Sequence, residues 1–488
     1  MEKKYSWTSY RLKNILKIED WLLANRHLEY LFFLDSSCCN PLNAVTNMHL
    51  HKKSRYSYIG LNPHAGIEYY GDKIMIYRNG KIVTESNISP NECLKIFDSF
   101  CDDYSTYCNP HNPEREPQWF TSLSYDFGEF LVGTKKWDSK KSNDSPYYYC
   151  WLPSDQLVID WQTGNMVFWS LNISDGENIE KRFTDIFDIN LNEVVYHGNV
   201  SGVNGSLIFN KASFITAIEK IRHYIFEGDV YLVNMTQPFY FESNSNLVDI
   251  YINLRKNNPS PFGALLITPT ISILSSSPER FIYVNNNVIS TEPIKGTRPR
   301  GKTPVEDDKY LKDLISSEKE KAEHTMVVDL LRNEIGKLCV YGSVFVEDSF
   351  YVEKYNTVFQ LISRIKGKLL PNVTFSDIIS ETFPGGSVTG SPKFSSMKII
   401  GEVEQYSREY YTGCLGRRSI SNENYDLSIL IRSFVFKANK AMLGVGGGII
   451  YDSVSDEEYQ ETLDKGRIIV ESLNSEELSK VFCAEDQN

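Results

Sequence analysis

Lys295 lies in Pro293-Ile294-Lys295-Gly296-Thr297-Arg298-Pro299-Arg300-Gly301, where glycine and proline punctuate the backbone. These residues predict a turn, so the amine is presented by a turn and not carried on a helix face. Sixteen residues upstream a carboxylate stands in Ser277-Pro278-Glu279-Arg280. A lysine and a glutamate held on neighbouring strands can serve as nucleophile and general acid. Taken alone, a lysine in a polar turn is ordinarily a solvated surface residue.

Two Glu-x-x-Glu pairs form the next candidate. Glu320 and Glu323 fall on a charged helix predicted over about 305–337, and Glu458 and Glu461 on a final helix opening near Ser455. A spacing of three puts each pair on one helix face. Four carboxylates from two helices make an all-oxygen site suited to a hard cation such as Mg²⁺. A lone pair of this kind is more often a solvated face. Anion binding is the third candidate. Arg432 follows the apolar strand Leu427-Ser428-Ile429-Leu430-Ile431 and could clamp a carboxylate or simply cap the strand. Gly446-Gly447-Gly448, in a predicted glycine-rich turn over 444–448, can offer backbone N–H groups to the same kind of ligand. The run Gly385 to Lys393 resembles a phosphate loop but lacks the Walker spacing, since Phe394 follows Lys393. Cys414 in Gly413-Cys414-Leu415-Gly416 resembles a glutaminase nucleophile. Thr412 and Arg418 break that pattern, so Cys414 is read as a packing residue.

The elements that must position these groups fit a chain of 488 residues with 41% hydrophobic and 13% aromatic content. That composition supports a globular protein with a substantial core. A net charge of -12 argues against a nucleic-acid binder. No apolar run approaches a membrane span, and the basic start Met1 to Trp7 is not followed by the apolar stretch of a signal peptide. Nine cysteines without C-x-x-C spacing, Cys38-Cys39 included, fit reduced thiols in a cytoplasmic protein. The eight histidines show no zinc pattern.

Strands are expected at Leu31 to Ser36 and Tyr56 to Gly60, with a hairpin over 72–83 turning at Asn79-Gly80. Polar loops are expected over 103–118 and 136–146. The glycine- and asparagine-rich stretch 198–206 suggests an N-terminal region 1–205, a catalytic region 206–475 and a tail 476–488. A helix is expected over 210–226, and another beginning near Ser391-Pro392-Lys393.

Together these segments resemble the chorismate-utilising enzymes, which include anthranilate synthase component I, aminodeoxychorismate synthase component I, isochorismate synthase and salicylate synthase. The resemblance runs from about Asn210 to Val470. It rests on Gly228 to Asn234, Ser277 to Phe281, Pro293 to Gly301 and Glu320 to Asn333, and on Phe383 to Lys393, Asp426 to Arg432, Gly446 to Ser453 and Glu458 to Thr462. It implies an α+β fold of large antiparallel sheets packed as a sandwich with helices outside. Pro-Ile-Lys-Gly-Thr at 293–297 is similar to the aminodeoxychorismate branch, where anthranilate synthases carry alanine at the lysine position. Leu331, Phe383 to Ser387 and Val233-Asn234 point the same way. The water-activating lysine of isochorismate and salicylate enzymes is replaced by Leu232.

The resemblance implies Mg²⁺ at Glu323 and Glu461, supported by Glu320 and Glu458, binding the ring carboxylate of chorismate. Arg432 and Gly446–Gly448 would take the enolpyruvyl carboxylate, and Gly296, Thr297 and Lys465 would also meet substrate. Lys295 would attack the ring with Glu279 as acid, and ammonia from a separate glutamine amidotransferase subunit would complete the amination at C4. This asks for Arg298, Arg300 and Lys465 or burial to lower the lysine pKa, and for an apolar setting around Glu279. Two positions depart from the family: Leu232 stands for a common glutamine and Gln360 for a common histidine. Leu34-Asp35-Ser36 resembles a tryptophan-binding strand of relatives, and reads equally as a plain edge strand. The alternatives are anthranilate synthase component I, or a non-catalytic paralogue binding tryptophan or a glutaminase. Intact Lys295, Glu279 and both carboxylate pairs speak against the paralogue.

Overall fold

The structure, a computed structural model, describes residues 6–12, 16–36, 53, 55–78, 80–104, 115–137, 143–171, 177–188, 196, 200, 203–355, 358–421 and 424–482. Cys38-Cys39, Asn79, Met1 to Tyr5, the stretch 109–113 and most of the charged segment after Trp137 lie outside them.

All described ladders are antiparallel, and they form two sheets that share one long strand, Tyr56–Tyr69. In the first sheet that strand is followed by Leu31–Asp35, Phe262–Ile267, Ser272–Ser277, Ser433–Lys437, Lys440–Ile449, Leu232–Glu242 and Val203–Leu207. In the second it is followed by Tyr148–Asp160, Gln118–Leu123, Cys414–Ser419, Asn424–Ile429, Arg280–Asn285, Val288–Glu292 and Val358–Lys368. Ile294–Pro299 and Phe345–Lys354 then flank Val358–Lys368. Each sheet therefore joins strands from before and after residue 205, through Leu31–Asp35 with Phe262–Ile267 in the first and Gln118–Leu123 with Cys414–Ser419 in the second.

Side-chain alternation assigns the faces. Phe32, Ile273, Val435 and Met442 of the first sheet meet Phe120, Tyr149, Trp151 and Leu415 of the second in one aromatic layer. The opposite face of the first sheet, with Phe33, Leu274, Phe434 and Leu443, packs on helices that include Lys211–Phe226, Lys393–Val403 and Ser455–Glu471. The outer face of the second, with Trp119, Cys150 and Leu427, packs on Pro90–Asp102, Glu318–Gly336 and Phe375–Thr382. The result is helix, sheet, sheet, helix, the α+β sandwich expected.

Local elements follow their sequence signals with four exceptions, the first being that the strand expected over Tyr56 to Gly60 continues to Tyr69. Asn210 caps the helix Lys211–Phe226, and Gly228 takes φ +85° just after it. Lys73–Arg78 and Lys81–Ser86 form the expected hairpin. The single helix expected over 305–337 is two, Pro304–Ser316 and Glu318–Gly336, because Ser317 at ψ 105° ends one and caps the next by accepting from the Glu320 amide. The run 444–448 is not a turn; it lies inside the strand Lys440–Ile449. Lys295 also lies on a strand, Ile294–Pro299, not in a turn.

Candidate active site

The chain passes directly between the two sheets at two places. Ser272–Ser277 leads through Pro278-Glu279 into Arg280–Asn285, and Asn424–Ile429 leads through 430–432 into Ser433–Lys437. The crossings are stitched together: the Ile429 amide donates to the Glu279 carbonyl at 3.1 Å, and the Ser276 amide to the Arg432 carbonyl at 3.1 Å. Glu279 and Arg432 are thereby fixed at one seam. A cavity of about 450 Å³ opens beside it.

Lys295 reaches this cavity through a bulge. Ile294 pairs with Ile362 and Thr297 with Gln360, so one extra residue is accommodated over Lys295-Gly296. Gly296 takes φ +79°, and a Cβ there would stand 3.1 Å from a Glu320 carboxylate oxygen. The glycine strand faces the lysine. A Cβ on Gly448 would lie 3.0 Å from Lys295 Nζ and 3.1 Å from Leu232 Cδ1, so a larger residue there would press on the amine.

The amide directions along that strand follow from its neighbour. The Asn234 amide donates to Thr389 O and the Thr236 amide to Glu404 Oε1, so neither is spent on the glycine strand. Their register partners Gly448 and Gly446 therefore turn their own N–H and C=O groups to the open edge, while Gly447 turns toward Met235. Consistently, Lys465 Nζ donates to Gly446 O at 3.0 Å. Pairing with Ser433–Lys437 ends at Leu443, which leaves that edge available to a ligand.

Glu279 is 5% exposed and accepts from the Ser387 hydroxyl at 2.6 Å. Burial pushes its carboxyl up to about 7, against the opposing pull of Ser387, Lys295 and Lys53. Burial, among polar neighbours, is what raises it. Arg432 adopts φ +52°, and burial draws its guanidinium below the ordinary value against the opposing pull of Tyr355.

All four glutamates line the same cavity. Glu320 pairs with Arg298 at 3.1 Å and Glu461 with Lys465 at 2.6 Å, while Glu458 accepts from the Ser453 hydroxyl at 2.7 Å. A donor set of carboxylate oxygens alone suits Mg²⁺. Among the described residues no three acidic, histidine or cysteine side chains already converge on one point, so an ion here would also take water and ligand oxygens.

The structure thus gathers Lys295, Glu279, Gly296, Thr297, Arg432, Gly446, Gly447, Gly448, Lys465 and the four glutamates around one space. Each of the cations expected to act on Lys295 is paired with a carboxylate, Arg298 with Glu320 and Lys465 with Glu461 at the cavity itself. Arg298 also binds Asp313, and Arg300 binds Asp307 and stacks on Phe359 outside the cavity. Leu34, Asp35 and Ser36 line a separate cavity of about 50 Å³, where Asp35 pairs with Arg255 at 2.6 Å. Cys414 is fully buried, as read.

Sequence reasoning assigned no role to Ser387 or His324. His324 is buried beside Glu323, bonds the Ser363 hydroxyl at 2.7 Å, and is held down to about 4 by burial and the charge of Lys295. Position 324 follows the second glutamate of its pair, and nothing in that spacing marks an imidazole turned inward. Behind the cavity, Arg408 pairs with Glu404, each 1% exposed, and donates to Asn234 O and Val388 O at 2.7 and 2.9 Å. Asn234 and Val388 line the cavity. Arg408→Met would leave the Glu404 charge without its cation. A loss of about 3–5 kcal/mol in urea unfolding is expected.

The profile of the chorismate binding enzyme family matches residues 51–471. The chain belongs to that family. It is 34% identical over 434 residues to aminodeoxychorismate synthase component 1 of Bacillus subtilis, covering 88% of this chain and 91% of the relative. It is 31% identical over 460 residues to anthranilate synthase component 1 of Acetivibrio thermocellus, covering 90% and 91%. A Haloarcula marismortui anthranilate synthase component 1 is 42% identical over 264 residues, 54% of each chain. Crystalline anthranilate synthase component I of Streptococcus pneumoniae superposes with a TM-score of 0.70 at 27% identity, covering 88% of this chain and 94% of that one. The family's fold is therefore the fold here. No helix among the described residues is long and apolar enough to cross a membrane.

Proposed function

We propose that the chain is the chorismate-aminating component of an aminodeoxychorismate synthase, forming 4-amino-4-deoxychorismate on the way to para-aminobenzoate and folate. The observation that carries this is an amine, Lys295, sharing one cavity with a buried carboxyl held near neutrality, Glu279. That pair suits a covalent substitution with a protonated leaving group.

The Lys295 amine attacks ring C2, both ring double bonds shift, and the C4–O bond breaks. Glu279 gives its proton to the departing hydroxyl, which leaves as water. Ammonia then attacks C4, both double bonds return to their places, and the C2–N bond breaks to free the lysine. Arg432 and the edge amides of Gly446 and Gly448 hold the enolpyruvyl carboxylate. Glu323 and Glu461, with Glu320 and Glu458 beside them, would hold Mg²⁺. Bound there, the ion would neutralise the ring carboxylate of chorismate. Leu232 stands where the isochorismate and salicylate enzymes carry the lysine that activates water.

Ammonia is proposed to come from a separate glutamine amidotransferase subunit, since the Bacillus subtilis relative is named component 1 and Cys414 is sealed in the core. The likeness to haloarchaeal anthranilate synthases supports a second reading, amination at C2 with loss of pyruvate. Tryptophan at Leu34 to Ser36 would require the small cavity there to widen.

Incubation with chorismate, Mg²⁺ and ammonium separates the readings. The expected product, identified by mass and fluorescence, retains the enolpyruvyl group with nitrogen at C4, and chelation of Mg²⁺ by EDTA stops its formation. Anthranilate or salicylate as the main product would overturn the proposal.

A further inference from the structure

Gln360 lines the cavity from the strand Val358–Lys368, yet it takes no part in the steps that Lys295 and Glu279 perform. Its neighbours Phe359 and Leu361 pack in a small cluster with Leu314 of the helix Pro304–Ser316. Alternation along the strand therefore turns Gln360 inward. The side chain is 1% exposed, and its Oε1 has no hydrogen-bond partner among the described residues. A buried acceptor left in this way costs stability, whereas methionine would fill similar space without that cost. Buried polar groups are as a rule satisfied, and the open side of this one is the cavity.

The rung beside it belongs to Glu279. Ile294 pairs with Ile362, and the Ile294 amide donates to the Glu279 carboxyl. Together with the Ser387 hydroxyl at 2.6 Å, that amide fixes the acid. Gln360 pairs with Thr297, two residues along from Ile362 and on the same face of the strand. Residues so spaced lie about 7 Å apart. Glu279 and Gln360 therefore border the same part of the cavity, and both can reach one small group of a ligand held between them.

Substrate chemistry narrows which group that is. Chorismate carries two carboxylates, an enol ether oxygen and one hydroxyl, so near neutrality the C4 hydroxyl is its only hydrogen-bond donor. We infer that Gln360 is a substrate-binding residue whose carboxamide oxygen accepts a hydrogen bond from the C4 hydroxyl of chorismate. The inference rests on the reading of this cavity as a chorismate site at which the C4–O bond breaks. The contact draws the hydroxyl hydrogen toward Gln360 and leaves an oxygen lone pair facing Glu279, the alignment that protonation of the leaving group requires. Water then departs with the hydrogen it already held and the one that Glu279 gives. Gln360 exchanges no proton, and because a carboxamide does not titrate it remains an acceptor whatever the state of Glu279.

The test compares chorismate with an analogue lacking the C4 hydroxyl, by calorimetry with Mg²⁺ on the full chain. Both are measured in the Lys295→Ala background, so that binding is read without covalent chemistry. With Gln360 present, chorismate should bind about tenfold tighter than the analogue, and with Gln360→Met the two should bind within about twofold of each other. In the chain that keeps Lys295, Gln360→Met should lower kcat with ammonium by about 10–10²-fold. Without ligand, its urea midpoint should equal or exceed that of wild type, as expected when an unpaired amide gives way to an apolar chain of similar size. Gln360→His at pH 8 keeps an acceptor nitrogen and should restore the preference for chorismate. A preference that survives in Gln360→Met would overturn the inference. So would a lower urea midpoint, which would mean that the side chain serves the fold. If wild type with ammonium yields anthranilate, the C4 amination reading fails. Anthranilate has also lost the C4 oxygen, so the binding comparison still judges Gln360.

Discussion

With Lys295 replaced by alanine, formation of 4-amino-4-deoxychorismate from chorismate and ammonium is expected to fall by at least ~10³-fold, the scale on which loss of a nucleophile acts. The loss should sit in kcat. Arg432 and the edge amides of Gly446 and Gly448 remain, so chorismate should bind nearly as well, as calorimetry would read directly. The substitution also changes two neighbours in a stated direction. The positive charge of Lys295 now holds down both the Glu279 carboxyl and the His324 imidazole. In the alanine variant both pKa values should rise, Glu279 from about 7 and His324 from about 4, measurable by NMR titration. Lys295→Arg keeps a charge but offers a poor nucleophile. It should restore much of the electrostatics and none of the turnover. Undiminished product from the alanine variant would exclude the covalent step.

Glu279→Gln is expected to lower turnover by about 10²–10⁴-fold while making the protein more stable above neutrality. The folded carboxyl is raised from 4.5 to about 7 by burial, so the folded state holds this proton more tightly than the unfolded chain. Its contribution is therefore fully present below about pH 4.5 and lost as pH rises through 7. The gap corresponds to about 3 kcal/mol at pH 8. Glutamine carries no such dependence. The variant should gain on wild type between pH 5 and pH 8 in urea unfolding, and the alkaline limb of kcat/KM near pH 7 should disappear. A stability difference that does not change with pH would contradict the buried-acid account.

The residue types of this site were legible in the sequence, but the backbone that presents them was less so. Gly296 and Gly446–Gly448 read as turn residues because local propensity carries no information about what stands opposite. Here a Cβ at 448 would meet the lysine, and one at 296 would meet Glu320, which are reasons for glycine inside strands. The bulge over Lys295-Gly296 depends on register against Val358–Lys368, which only tertiary pairing defines. Ser317 was readable as a cap by residue type, yet the charged stretches on both sides of it favoured one helix. His324 and Ser387 gain their positions from contacts with Ser363 and Glu279, each at least 39 residues away in sequence. The sandwich itself was legible mainly through family resemblance. Alternation in short strands identifies faces, not which strand is the neighbour.

The strand Tyr56–Tyr69 belongs to both sheets, and this has a consequence for how the protein can fold. Leu31–Asp35 pairs with Phe262–Ile267, and Gln118–Leu123 with Cys414–Ser419. Closing loops of this length comes late, and contacts so distant along the chain slow folding. Neither the early nor the late half of the polypeptide can satisfy its strand edges alone. The inner strands Phe262–Ile267 and Cys414–Ser419 would each present an open, apolar edge until the first part of the chain arrives. Nascent chains of this protein must pass through a stage with unpaired edges and no catalytic seam, so protection from aggregation and acquisition of activity arrive in the same cooperative step.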